Sequence, residues 1–396
     1  MKRIVFLCDG TWNSADAPEP TNVVRIAHLL SESDGPVTQI PVYIQGVGTG
    51  EGNMRLSRRL DRLLGGAFGW GLMDNVVEAY RHLVFLYEPG DEIFVFGFSR
   101  GAYTARSFVG FVRAMGILPR TALHLVPDAV ARYRDHAAAT KPGTAESAAY
   151  RLRIGSRVAT DPDEVLWRHD NGHPDAPLLK VPYVGVWDTV GALGVPRHVP
   201  VLGRIAAAKY GFHDTYLSSM VDAARHAVAI DERRRSFEPT LWKDLDAMNE
   251  GRAGTPYRQL WFAGDHGSVG GGGDIRDLSS IALAWIAEGA ADAGLAFDAP
   301  AMAALAGEHR PLGPLHNHSR PRRTLSDRLT RIGAADRTGP TAHTGLSPSA
   351  LDRWDRDTSW RPGPLAHLGT QIAGHFEALR RVAANDPDDT SAPPRA

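Results

Sequence analysis

Cysteine is nearly absent: Cys8 is the single one in 396 residues. No disulfide can form within the chain, which fits a reducing compartment or a fold that does not need oxidation for stability. Charge of one sign is lacking too. Lys and Arg number 44 against 45 Asp and Glu, a formal net charge of −1. That balance removes any general electrostatic basis for binding nucleic acid or inserting stably into an anionic membrane. Long apolar runs are missing as well. No stretch approaches the roughly 18 residues of a membrane span. The start, "MKRIVFLCDG", holds only residues 4–8 as an apolar run before Asp9, short of a secretory core of about 7–15 residues. It reads as a strand, and a cytoplasmic location is expected, with export without a signal peptide as the alternative. What is present is 43 % hydrophobic and 22 % charged residues, the composition of a soluble globular protein able to bury a large core.

Apolar runs and helical stripes alternate from residue 3 to about 295. "RIVFLCDG" (3–10) reads as a buried strand ended by Asp-Gly, and "TNVVRIAHLL" (21–30) as a helix behind a Thr/Asn cap signal. Residues 37–52 read as a second strand running into a Gly-rich loop. Over 75–88, Val76, Val77, Tyr80, Leu83, Val84 and Tyr87 share one helical stripe. "EIFVFGF" (92–98) is a short continuous apolar run, as expected of a strand covered on both faces. A helix follows it from "GAYTAR", and 121–158 read as helical. Then come a third buried strand with its loop (178–194), a helix turning charged (221–239), a strand entering glycines (259–274) and a helix (278–295). The pattern predicts an α/β fold with a mostly parallel central sheet covered by helices on both faces. Beyond 296, loops and short helices are expected over the cleft, then a helix at 364–383. The expected organisation is one catalytic domain over 1–384, with its core at 1–295 and a covering segment at 296–384. The polar stretch 385–396 reads as a disordered tail.

Gly97-Phe98-Ser99-Arg100-Gly101 matches G-x-S-x-G, and it stands between a strand and a helix. In such a nucleophile elbow the serine sits on a strained turn that projects its hydroxyl into a cleft. The flanking glycines are needed because side chains there would strike neighbouring backbone. The alternative is a serine in an ordinary tight turn. A nucleophilic serine needs a base, and the base needs an orienting carboxylate. Asp188 follows the run "VPYVGVW", and His266 follows "QLWFAGD". Both stand just past strand ends, where sites of parallel sheets collect, in the chain order Ser, Asp, His that this fold uses. Asp188 could instead be a turn cap, and His266 is one of 16 histidines. Asp265 and Asp274 are the rival carboxylates; His316 and His318, a His-x-His, are the rival bases. For an oxyanion hole, the backbone N–H of Arg100 is one candidate donor, and the amide of Gly10 or Thr11 in "CDGTWN" is the second. A plain β-turn stabilised by Asp9 fits the same letters.

Two further motifs are set aside. "LCDGT" shares letters with the D-x-D-G-T of haloacid-dehalogenase-type phosphatases, but the nucleophile's position is Leu7. "GVGTGEG" (46–52) lacks the G-K-[S/T] ending of a phosphate loop. The arginines at 233–235 and the Arg-rich stretch 320–331 read as solvated surface.

Five blocks carry a resemblance: "FLCDGTWN" with "TNV", "YEPGDEIFVFGFSRGAYTAR", "VGVWDTVGALG", "HAVAIDERRRSFEPTLW" and "WFAGDHGSVGGG". A sixth, weaker one spans 346–365. Through them the chain resembles the bacterial α/β-hydrolase family long classed as a domain of unknown function. That family supplies the catalytic domain of family 1 type VI secretion lipase effectors. The resemblance implies an α/β-hydrolase fold, with Ser99 as nucleophile, Asp188 as acid and His266 as base. It favours lipid or phospholipid acyl esters as substrates. The family's histidine block usually carries an acidic residue two positions after the histidine, where this chain has Ser268.

The expected function is therefore serine-dependent hydrolysis of carboxylic esters through an acyl-enzyme, with no metal or organic cofactor. Expected partners are a small ester or a lipid met in transient contact; the oligomeric state is not legible. A thioesterase or peptidase on the same triad, or a catalytically silent binding module of the same fold, are the alternatives.

Overall fold

In the computed structural model the described residues are 1–46, 68–135, 137, 140–191, 216–320 and 334–385. Seven strands form one sheet: β1 (Lys2–Cys8), β2 (Ser33–Asp34), β3 (Val37–Ile44), β4 (Glu92–Phe98), β5 (Lys180–Trp187), β6 (Val221–Ala229) and β7 (Tyr257–Phe262). Their order is β2-β3-β1-β4-β5-β6-β7. Every pairing is parallel except the short β2–β3 hairpin at the edge. The pattern of β1 shows why the sheet is buried on both sides. Ile4, Phe6 and Cys8 enter one hydrophobic cluster, while Val5 and Leu7 enter the other. Successive side chains of a strand point to opposite faces, so a strand without polar alternation needs cover on each.

The helices supply that cover. On one face lie α1 (Asn22–Leu29) and, further along the chain, Asp277–Asp292. On the other lie α2 (Phe68–Leu86), α3 (Arg100–Met115) and α4 (Val126–Tyr133). Of the stripe expected over 75–88, Val76 to Val84 fall within α2 and Tyr87 lies one residue past its end, and α1 starts at the expected Thr21 cap, whose hydroxyl accepts from the Val24 amide. The span 121–158 is broken into a 3-10 turn, α4, and α5 (Ala145–Arg153), followed by α6 (Pro162–Asp170). A third cluster joins Val228, Ile230, Trp261 and Ala263 to Leu346, Leu365, Leu368 and Ile372 of the late segment. That segment carries the short helices Ala299–Gly307 and Pro348–Arg356 and a last helix, Gly369–Asn385.

One expected element is corrected. The start of 221–239 is not a helix but β6, paired in register between β5 and β7. Its alanines favour a helix by propensity. In place they are the small residues that fit under the covering helices: Ala224 enters one cluster, Ala227 and Ala229 the other. Tertiary packing overrides local preference here. The Gly-rich stretch beyond residue 46, positions 192–194, the arginines of 321–331 and the tail beyond 385 lie outside the described residues.

Candidate active site

The strand order reverses direction at β1, whose neighbours are β3 on one side and β4 on the other. Loops leaving the carboxyl ends of β1 and β4 therefore part there and leave a crevice. Ser99 stands at that crevice. It follows β4 directly, and α3 starts at the next residue. Its backbone is at φ 59°, ψ −123°, a region costing a non-glycine residue roughly 1–3 kcal/mol. The two flanking glycines are required by contact rather than by freedom. A Cβ on Gly97 would lie 2.6 Å from the Gly101 carbonyl oxygen, and one on Gly101 would lie 2.2 Å from the Cys8 carbonyl oxygen. Both obstacles are backbone, which cannot swing aside. The Ser99 amide is tied to the Trp187 carbonyl at 3.0 Å, so the end of β5 braces the turn.

The end of β5 also supplies Asp188, which is fully buried and holds φ 38°. The end of β7 leads into a short helix, α7 (His266–Gly270), whose first residue is His266 and whose cap is Asp265. The three side chains meet. His266 Nε2 lies 2.8 Å from Ser99 Oγ. His266 Nδ1 lies 2.5 Å from Asp188 Oδ2. The imidazole is also held by rings: Phe98 packs on it at 4.6 Å between centroids, and Phe237 meets it edge-on at 4.7 Å.

Asp188 is gripped by more than the histidine. Its Oδ1 accepts from the Ala229 amide at 3.0 Å and from Arg337 Nη1 at 2.7 Å. Its Oδ2 accepts from Arg337 Nη2 at 3.0 Å. Burial alone would favour the neutral acid. Arg337 and His266 outweigh it and hold the Asp188 carboxyl far below the usual carboxylate range. Beneath this turn, the Thr189 amide donates to His226 Nε2 at 3.1 Å. Beside it, Glu232 pairs with Arg234 at 2.6 Å and lies 3.4 Å from the His266 amide.

The rival residues stand elsewhere. Asp265 turns to its own helix, accepting from the Ser268 amide and hydroxyl, each at 2.9 Å. Ser268, at the position of the family's acidic residue, is thus absorbed in capping. Asp274 binds the Ser319 amide at 3.0 Å and faces His318 at 3.8 Å, half-exposed. His316 is exposed. Arg234, expected as solvated surface, instead lies over the Phe237 ring at 3.7 Å while paired with the buried Glu232; its neighbour Arg233 is exposed and paired with Asp336.

The loop after β1 lies against the serine. A Cβ on Gly10 would come within 3.3 Å of Ser99 Cβ. Asp9 organises this loop. Its buried carboxylate accepts from the Gly10 amide at 2.7 Å, Thr21 Oγ1 at 2.9 Å and the Tyr43 hydroxyl at 2.8 Å. Burial pushes its pKa up to about 6 against those three donors. The Gly10 N–H is therefore already donated within the loop. Thr11 Oγ1 is buried with no hydrogen-bond partner among the described residues, and Trp12 takes φ 68°. Arg100 opens α3, so its backbone N–H sits at the helix N-terminus beside Ser99.

Sequence reasoning passed over Arg337, His226 and Phe237. Arg337 stands in "AADRTGP", where nothing local distinguishes it from the chain's other arginines. His226 was hidden by the helical reading of its strand. Phe237 lies in a block quoted for the resemblance, but its letter alone assigns it no contact.

A serine on a strand-to-helix turn at the carboxyl edge of a parallel sheet, with histidine and carboxylate brought in by later strand ends, defines the α/β-hydrolase class. Over residues 2–289 the chain matches the model of the T6SS phospholipase effector Tle1-like catalytic domain, and it belongs to that family. It is 29 % identical over 245 residues to the uncharacterized protein YEL023C of Saccharomyces cerevisiae, covering 60 % of this chain and 32 % of that protein. The chain thus spans about a third of that relative's length, and the likeness is not confined to bacteria. Among solved structures it is similar to an uncharacterized protein from Pseudomonas aeruginosa, with TM-score 0.44 and 16 % identity, covering 100 % of this chain and 56 % of that one. It is also similar to the Tle1 effector bound to the VgrG spike of the type 6 secretion system, with TM-score 0.37 and 18 % identity, over 68 % and 51 % of the two chains. Among the described residues no helix is long and apolar enough to cross a membrane.

Proposed function

We propose that this protein hydrolyses carboxylic esters, and acyl esters of lipids or phospholipids in particular, through a Ser99-His266-Asp188 triad. The observation that carries the reading is the unbroken contact chain from Ser99 Oγ to His266 Nε2 at 2.8 Å and from His266 Nδ1 to Asp188 Oδ2 at 2.5 Å. His266 takes the serine proton as Ser99 Oγ attacks the ester carbonyl, and Asp188 stabilises the imidazolium that forms. The proton then goes to the departing alkoxide, leaving an acyl-serine. Water, deprotonated by the same histidine, releases the acid and restores the enzyme. The tetrahedral oxyanions are met by backbone amides. Arg100 supplies one, and Thr11 is the favoured second because the Gly10 amide is engaged by Asp9. The lipid preference rests on family membership. We read 1–384 as one catalytic unit that meets lipid in transient contact.

The test is active-site labelling with a fluorophosphonate, followed by a panel of short-chain esters, phospholipids, thioesters and peptides. Labelling at Ser99 is expected, with Ser99→Ala and His266→Ala losing on the order of 10⁴-fold or more of the turnover. A folded protein that never labels is not a serine hydrolase. Labelling with turnover of thioesters or peptides alone would keep the triad and replace the substrate class.

A further inference from the structure

We propose that Arg337 is a positioning residue of the triad: it fixes the Asp188 carboxylate in orientation and charge, so that the late segment completes a site otherwise built within residues 2–289. This rests on the triad reading above.

The geometry is a clamp. Arg337 is buried, and its fork takes both carboxylate oxygens of Asp188, Nη1 to Oδ1 at 2.7 Å and Nη2 to Oδ2 at 3.0 Å. The same two nitrogens bind the carbonyls of Ala229, at 2.7 Å, and Phe237. Thus one guanidinium joins the carboxylate, the end of β6 and the residue whose ring packs against His266. Only a planar, doubly donating cation fills that role; an ammonium is a point charge with no matching fork. With Oδ1 held by Arg337 and by the Ala229 amide, the carboxylate cannot rotate about its axis, and Oδ2 stays turned to the imidazole.

Charge gives the second half of the argument. Asp188 is fully buried, and an unpaired carboxylate there would take up a proton or turn away. As a base that accepts the serine proton the imidazole opposite must start uncharged, so it cannot serve as the counter-ion throughout the cycle. Arg337 can, in every step of the cycle. Among the described residues the other titratable groups facing this pair are Glu232, paired with Arg234, Asp265, occupied in capping, and His226, which accepts from the Thr189 amide beneath the turn. Removing Arg337 therefore leaves an excess of negative charge beside the histidine, which favours protonated forms of the Asp-His pair. Neighbouring residues anchor the segment that carries Arg337. The Ala335 amide donates to the Arg233 carbonyl at 3.0 Å, and Asp336 pairs with Arg233 at 2.8 Å. Arg337 lies beyond the matched family domain, which ends at residue 289.

The test uses the full chain and a soluble short-chain ester, with the fluorophosphonate labelling rate as a second probe, over about pH 5–9. For Arg337→Met the expected result is a loss of at least tenfold in kcat with KM little changed. The acid limb of its pH–rate profile should move up by about one pH unit or more. Arg337→Lys should return the acid limb toward the wild-type position while leaving kcat depressed, because it restores charge without the fork. A folded Arg337→Met with wild-type kcat and profile overturns the inference while the triad reading stands. If Arg337→Met does not fold, the decision passes to Arg337→Lys, where a wild-type kcat overturns it and a depressed kcat with unmoved acid limb supports it. Wild-type protein that neither labels nor turns over the ester overturns both readings.

Discussion

His226 makes stability depend on pH in a direction and amount that can be worked out. It lies fully buried in β6, accepting from the Thr189 amide through Nε2 and facing Gln259 Oε1 through Nδ1 at 2.9 Å. That pairing requires the neutral tautomer with the proton on Nδ1. Burial first, then Arg106, push its pKa down to about 3, with Gln259 and Asp188 opposing. An unfolded chain offers an ordinary imidazole near 6.5. Between these values the unfolded state binds the proton and the folded state refuses it. The contribution of His226 is fully present above about pH 6.5 and is lost as pH falls toward 3. The limiting slope is about 1.4 kcal/mol per pH unit, so about 2 kcal/mol is lost by pH 5. Asp9 acts the other way, because its raised pKa adds stability on acidification toward its unfolded value. A difference measurement cancels it. In His226→Gln the side-chain oxygen still accepts from Thr189 but does not titrate. The stability gap between wild type and variant, read from urea unfolding curves, is expected to shrink by about 2 kcal/mol between pH 7.5 and 5. A gap that stays constant across that range would refute the reasoning, since it would mean that His226 binds its proton equally well in both states.

Three further outcomes follow from the packing. Ser99→Gly should be inactive yet exceed Ser99→Ala in stability by about 1 kcal/mol, because glycine relaxes the strained backbone that alanine retains; thermal melts of the two variants decide it. Gly101→Ala should lose labelling by fluorophosphonate together with at least about 2 kcal/mol of stability, because its methyl meets the backbone of residues 8 and 9. Glu164 is buried between Arg151 and Arg168, at 2.9 and 2.8 Å. Glu164→Leu should cost about 3–5 kcal/mol by stranding two guanidinium groups, while activity per labelled molecule stays unchanged.

What could be read from the letters depended on whether the determining physics was local. The elbow was legible because its five-residue spacing is local and a strand pattern before Ser99 and a helix pattern after it leave one turn between them; Gly97 answers to backbone four and five residues on, whereas the obstacle that requires Gly101 is the distant end of β1. Asp188 and His266 were legible because parallel sheets gather chemistry at strand ends, so a polar residue closing an apolar run is marked by position alone. The helical reading of 221–239 failed because four alanines advertise a helix, while the reason for them, the close cover over β6, is set by elements far along the chain. The same cause hid His226, whose burial follows from that strand. Arg337 was hidden more deeply. Its partner is 149 residues away, and a lone arginine among Ala, Asp and Thr carries no period, cap or spacing to mark it. Yet the need for such a residue was implicit once Asp188 was placed at a buried strand end. A fully buried carboxylate stays ionised only against a partner charge, so some cation has to stand behind it. The sequence could state that requirement but not which of its arginines would meet it.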